Sequence, residues 1–191
     1  MVRWAPGTQQ RLQDAALELF ATRGYDQTTA TDIAQAVGLT ERTFFRHFAD
    51  KREVLFHGQQ MLTDAFLAGL QDGPSDASPI HLAVRALQSS SQFFDDERRP
   101  HSRLRQTVID ANPALQEREA LKLVGLGRDL GAALRDRGVD DTAADVAAQV
   151  AVMAFGIAFA QWIAEGEQRS FETIAMDVIR EVVAVTGQLD R

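Results

Sequence analysis

The chain has 191 residues, 45% hydrophobic and 25% charged, with a formal net charge of −7, which provides for one good core or two small ones and argues against disorder. Five prolines and thirteen glycines do not suggest a β-rich fold, and the lack of cysteine excludes disulfides, thiolate metal sites and cysteine nucleophiles. Residues 1–7 are too short and too polar for a secretory signal, so a cytoplasmic protein is expected.

Arg3 and Trp4, ahead of Pro6 and Gly7, form a short arm, read either as a frayed end or as a minor-groove arginine. A first helix is predicted from near Thr8 to Gly24, burying the stripe Leu12, Ala15, Ala16, Leu19 and Phe20. The next stretch, Thr28 to Lys51, has the layout of a helix-turn-helix. Thr29 caps its first helix with Asp32 closing a capping box, and Ile33, Ala34 and Val37 turn inward. Gly38 supplies the left-handed residue, Leu39 plugs the turn, and Thr40 caps a second helix, Glu41 to His47. Phe44 and Phe48 are four apart and share the packed face. The opposite side carries Arg42, Thr43, Phe45, Arg46 and His47, a set of donors and an aromatic suited to the DNA major groove. The same shape also serves as a plain structural corner in helical proteins, so the pattern alone leaves both readings open.

A first helix ending in the AxxGY pattern of residues 21–25, followed by TTATDIAQAVGLTERTFFRHFADKREVL and above all its run TFFRHFADK, resembles the amino-terminal domain of the TetR family of transcriptional regulators. The likeness runs from about Leu12 to Leu55. It implies phosphate contacts from Thr29, His47 and Lys51, and base or groove contacts from Thr31, Arg42, Thr43 and Phe45. Phe45 stands where the family commonly has Tyr; it can stack or touch a thymine methyl but cannot hydrogen-bond a phosphate. Arg46 replaces another frequent aromatic and restores a phosphate bond nearby. The resemblance further implies a homodimer on a palindromic double-stranded operator, repression as the usual outcome, and a small-molecule effector in the remaining domain that changes the spacing of the two DNA units.

Beyond the motif, Asp50 and Glu53 repeat the capping box for a helix from Lys51 to about Gln71, with Val54, Leu55, Gly58, Met61, Leu62, Ala65 and Phe66 on its stripe. At roughly 1.5 Å per residue it would be about 30 Å long, a lever between two domains. Asp72 to Pro79 is a loop whose Ser78 caps a helix from Ile80 to Phe94, with Leu82, Ala83, Ala86, Leu87, Ser90 and either Phe93 or Phe94 inward. A charged break, Asp95 to Arg103, precedes a short helix from Arg103 to Asp110. Asn112 and Pro113 restart a long one that reaches about Arg137 and is closed by Gly138. Gly125, Gly127 and Gly131 inside it read as close helix contact, room for a ligand, or drift.

Asp141 or Thr142 opens the most apolar helix, covering Val146 to Gly166. Gln149 and Gln161 interrupt its run and acids flank it, so a membrane span is not expected. An all-round apolar helix must be covered on both sides, by its own core and by a partner subunit. The last helix, Phe171 to about Thr186, carries Phe171, Ile174, Ala175, Val178, Ile179, Val182 and Val185. Paired with their copies, these last two helices would form a four-helix homodimer interface, in which a charge at Val178 is expected to yield monomers.

No catalytic constellation is present: His47, His57, His81 and His101 are scattered without metal-ligand spacing, and there is no glycine-rich phosphate loop. An enzyme is not expected, and no cofactor or metal is implied. Residues 1–52 hold seven Lys or Arg against six Asp or Glu, so the acidity lies in the remainder, away from the motif. Candidates to line a pocket for a mostly apolar ligand are Met61, Phe66, Phe94, Leu104, Val108, Phe155 and Trp162, each of which also reads as ordinary core. The expected architecture is all-α with about nine helices: a three-helix helix-turn-helix domain at 1–52 and a ligand-binding and dimerisation domain at 53–191. The alternative is a helical ligand-binding or scaffolding protein without DNA affinity.

Overall fold

A computed structural model describes residues 7–187, so the arm at Arg3 and Trp4 lies outside the described residues. Among those residues the fold is all-helical, with nine α-helices: α1 Thr8–Arg23, α2 Ala30–Ala36, α3 Glu41–His47, α4 Gln59–Gln71, α5 Pro79–Ser90, α6 Arg99–Asp110, α7 Pro113–Asp136, α8 Asp141–Trp162 and α9 Phe171–Thr186. The chain divides into two compact units, Met1–Gln59 with Arg103–Ala120, and Gln60–Ser102 with Leu121–Arg191. The division thus falls inside α6 and α7.

In the first unit, local chemistry sets the helix ends. Thr29 Oγ1 accepts from Asp32 N at 3.1 Å while Thr29 N donates to Asp32 Oδ2 at 2.8 Å, a complete capping box. Gly38 turns the chain at φ 72°, where a side chain would be strained. The core joins Leu12, Leu17 and Phe20 of α1, Ile33 and Ala34 of α2, and Phe44 and Phe48 at α3. Leu17 is buried, whereas Ala15 and Leu19, placed on the predicted stripe, only pack at its edge.

Two features of this unit depart from expectation. The helix predicted from Lys51 to Gln71 is broken: Glu53–Phe56 forms a 3-10 turn, and α4 begins only at Gln59. The Asp50 carboxylate accepts from the N–H groups of Arg52 and Glu53, and Val54, Leu55 and Phe56 are all buried. Three consecutive buried residues fit an enclosed tight turn better than a one-faced helix, and Gly58 in the break weakens continuation. Secondly, Val108 and Ile109 of α6 and Leu115 of α7 belong to this core. The Arg105 guanidinium donates to Leu55 O at 2.9 Å and to Glu119 at 3.1 Å, and lies 5.0 Å from the Phe56 ring centroid. Arg118 pairs with Glu53.

The second unit is built on a core that includes Phe66, Leu70, Leu82, Leu87, Leu130, Leu134, Phe155, Trp162, Phe171 and Ile174. Gly69 lets α4 meet α5, since a Cβ there would stand 2.5 Å from Arg85 O. A Cβ at Gly127 would stand 2.9 Å from Gln149 Nε2, the movable end of a side chain, while Gly125 faces open space. The helix α6 starts at Arg99, four residues before the predicted start. Arg99 is buried: it donates to Arg169 O at 2.7 Å, to Glu167 O and to Asp96 at 2.6 Å, and its guanidinium lies over the Trp162 ring. One paired arginine therefore anchors a stretch that looks like solvated charge. Asp140, and neither Asp141 nor Thr142, caps α8.

By length and composition α8 could cross a membrane. Its alanines 144, 147, 148, 151, 154 and 158, with Phe155 and Trp162, face the core, and it packs on α5 and α9. One face of α8 is therefore core, while Val146, Met153 and Ile157 on the other are exposed. On α9, Phe171, Ile174, Ala175, Val178 and Ile179 are buried in the unit itself, while Val185 is exposed.

Candidate nucleic-acid interface

Helix α3 is anchored by aromatic packing on one face only. Phe44 is 0% exposed, with ring centroids 5.3 Å from Phe48 and 5.4 Å from Phe45. Phe45 itself is 49% exposed. The Thr40 side chain accepts from Thr43 N and starts the helix, and the Thr40 and Thr43 hydroxyls lie 3.0 Å apart. Arg42 and Arg46 are exposed and have no hydrogen-bond or ion-pair partner among the described residues; His47 is half-buried, with its Nε2 atom itself buried and without a partner. The outer side of α3 thus presents Arg42, Phe45 and Arg46 together, with Thr43 and His47 at its margins.

The remaining residues named from the motif are held more tightly. Thr29 is committed to Asp32, whose carboxyl the Thr29 hydroxyl and N–H keep below the usual carboxylate range. Thr31, half-buried on α2, donates its hydroxyl to Glu41 Oε2 at 2.8 Å. Sequence reasoning missed Glu41, because nothing local shows that α2 and α3 bring these two side chains together.

Lys51 is turned inward. Its Nζ donates to Tyr25 O at 2.7 Å and Thr28 O at 2.9 Å and lies 4.0 Å from the Tyr25 ring centroid. Burial pulls this ammonium below the ordinary lysine range, against a small opposing pull from Asp26, and pushes the Tyr25 phenol up. Two of its three donors go to the turn between α1 and α2, so in this structure Lys51 braces the unit rather than facing outward for a phosphate. Lys51→Met is expected to lower stability by about 1–3 kcal/mol in urea unfolding, because two carbonyls lose a charged donor. The salt slope of DNA binding, which counts neutralised phosphates, should stay unchanged.

The ligand candidates do not form one group. Phe66, Phe94, Phe155 and Trp162 come together in the second unit. Phe94 is the hub, with ring centroids 5.6 Å from Phe155, 5.5 Å from Trp162 and 4.4 Å from Phe171. The Trp162 indole N–H is buried without a partner. Met61 is exposed, and Leu104 and Val108 lie in the first unit, Val108 as core. Helical period places these three on apolar stripes but says nothing about which core each stripe joins.

Residues 12–57 match the family model described as bacterial regulatory proteins, tetR family. The chain is 45% identical over 82 residues to the HTH-type transcriptional regulator TcmR of Streptomyces glaucescens, covering 43% of this chain and 36% of that one. It is 34% identical over 109 residues to the putative mycofactocin biosynthesis transcriptional regulator MftR of Mycobacterium tuberculosis, covering 57% and 54%. These matches therefore span about a third and about half of the relatives' lengths. The fold is similar to that of SmeT of Stenotrophomonas maltophilia in its triclosan complex, with a TM-score of 0.64, 19% identity, and coverage of 94% of this chain and 91% of that one. A capped helix-turn-helix with one outward-facing face and a family match centred on it lead to one conclusion: residues 12–57 form a helix-turn-helix segment of the kind found in the tetR family of bacterial regulatory proteins.

Proposed function

We propose that the protein is a transcriptional regulator, acting as a repressor, that binds a palindromic operator as a homodimer and is released by a small apolar ligand. The observation that carries this is the asymmetry of α3, with Phe44 and Phe48 inside and Arg42, Phe45 and Arg46 outside. Residues 1–52 carry DNA recognition and residues 53–191 ligand binding and dimerisation. Thr43, His47 and the outer α3 residues form the DNA surface, with Thr29 and Thr31 at its edge.

Dimerisation is supported by Val146, Val150, Met153 and Ile157, which recur at intervals of four, three and four along the side of α8 away from its alanine face; all but the half-buried Val150 are exposed. Val183 adds an exposed apolar residue on α9. A two-fold homodimer reads both halves of a palindrome when its two copies of α3 meet successive major grooves, about 34 Å apart. The aromatic cluster around Phe94, with an unpartnered indole N–H, supports an apolar ligand. Such a ligand acts through its differential affinity for the state whose recognition helices match the operator. These properties describe a cytoplasmic binding protein without catalytic activity.

Selection of bound fragments from a random DNA pool tests the reading. Enrichment of an inverted repeat is expected, and no enrichment would refute it. On the selected site Arg42→Ala should cost about 1–3 kcal/mol and relax the preference at one position per half-site. Equal losses on selected and random DNA would remove Arg42 from the reading face.

A further inference from the structure

We propose that Glu41 reads a cytosine in the operator and that Thr31 is the positioning residue that aims it; this rests on the DNA-binding reading above. Glu41 is exposed in the first turn of α3, beside Arg42, on the helix offered to the groove. Its carboxylate is held from behind: Thr31 Oγ1, on α2, donates to Oε2 at 2.8 Å. A carboxylate accepts about four hydrogen bonds and donates none, so one is used by Thr31 and the others remain. Among the described residues no Lys, Arg or His forms an ion pair with it, and Arg42 and Arg46 next to it are unpaired.

A bare carboxylate carried to a polyanion is repelled unless a donor meets it. In the major groove the base donors are cytosine N4 and adenine N6. Adenine sets its N7 acceptor beside N6, and guanine and thymine present acceptor oxygens, so each places a lone pair against the carboxylate. Cytosine alone offers a donor without an adjacent acceptor on the same base. The Thr31 bond matters because a free glutamate would lose rotamer freedom on binding, whereas a braced one has already lost it. The same residue then disfavours sites where another base stands at that register, so it contributes specificity through repulsion as well as attraction.

The experiment is selection from a random duplex pool with the full chain, comparing wild type, Glu41→Gln and Thr31→Val, followed by titration of each protein on sites differing at one base pair. Wild type should require C at one position per half-site, by about ten- to a hundredfold over other bases. Glu41→Gln keeps an oxygen for Thr31 but pairs bidentately with adenine, so that position should change from C to A. Thr31→Val should keep C but reduce the discrimination severalfold, with an unchanged urea midpoint. Identical preferred sites for wild type and Glu41→Gln, or a wild-type preference for a base other than C there, overturn the Glu41 assignment alone. Failure of wild type to enrich any sequence overturns the DNA-binding reading itself, and this proposal with it. A Thr31→Val protein that matches wild type at every base removes Thr31 from its positioning role.

Discussion

Met153→Glu combined with Ile157→Glu is expected to give a folded monomer that binds a palindromic site about 10²- to 10⁴-fold more weakly, the loss that follows when two linked binding events become independent. The two residues are 45% and 43% exposed on α8, so replacing them removes little from the chain's own core, and surface changes of this kind normally stay within about 0.5 kcal/mol of wild-type stability. In a closed two-fold interface each new carboxylate meets its own copy or an apolar surface without a counter-ion, which is strongly unfavourable. Sedimentation gives the mass and circular dichroism the helix content. A dimer of unchanged mass would show that the interface lies elsewhere.

The contrast with Val178 sharpens this test. The periodicity of α9 makes Val178 look like an interface residue, but it is 7% exposed and packs in the core of its own unit. A charge there would unfold the unit, and the resulting loss of dimer would say nothing about an interface.

Phe44→Ala should destabilise the first unit by about 3–5 kcal/mol, the usual cost of removing a fully buried phenylalanine. Small domains are stable by only about 5–15 kcal/mol in total, so most of that margin would be gone. Phe44 is the anchor against which Phe45 and Phe48 are set, at centroid distances of 5.4 and 5.3 Å. Its loss leaves a cavity beneath α3, and amide exchange should rise across residues 7–59. Phe45→Ala is the matching control: with half of its surface already in solvent, it should leave unfolding almost unchanged and weaken DNA binding. Should Phe44→Ala unfold at the wild-type urea concentration, α3 is not held by this face and its outer side need not be the reading surface.

The helix-turn-helix was legible because each of its boundaries is written in a few adjacent residues. The Thr29 and Asp32 box, the left-handed Gly38, the Thr40 cap and the 3.6-residue spacing of Phe44 and Phe48 act over at most one or two turns. The end of α1 follows in the same way from Gly24. The broken helix at residues 51–58 was hidden because its stripe continues across the break. What interrupts it is the burial of three consecutive side chains together with the hold of Asp50 on two N–H groups.

By itself the sequence determined the all-helical class, the helix-turn-helix and which side of α3 is free, since short-range hydrogen bonds and apolar period are properties of neighbouring residues. Tertiary structure alone decided where long polar side chains point. Lys51 turns to the carbonyls of Tyr25 and Thr28, Thr31 finds Glu41, Arg99 goes to the α8–α9 turn, and Val108 joins the first core rather than a ligand site. The physical reason is that a flexible cationic or hydroxyl side chain satisfies its donors with whichever acceptors the folded chain brings within about 3 Å, and those acceptors here come from residues far away in the sequence.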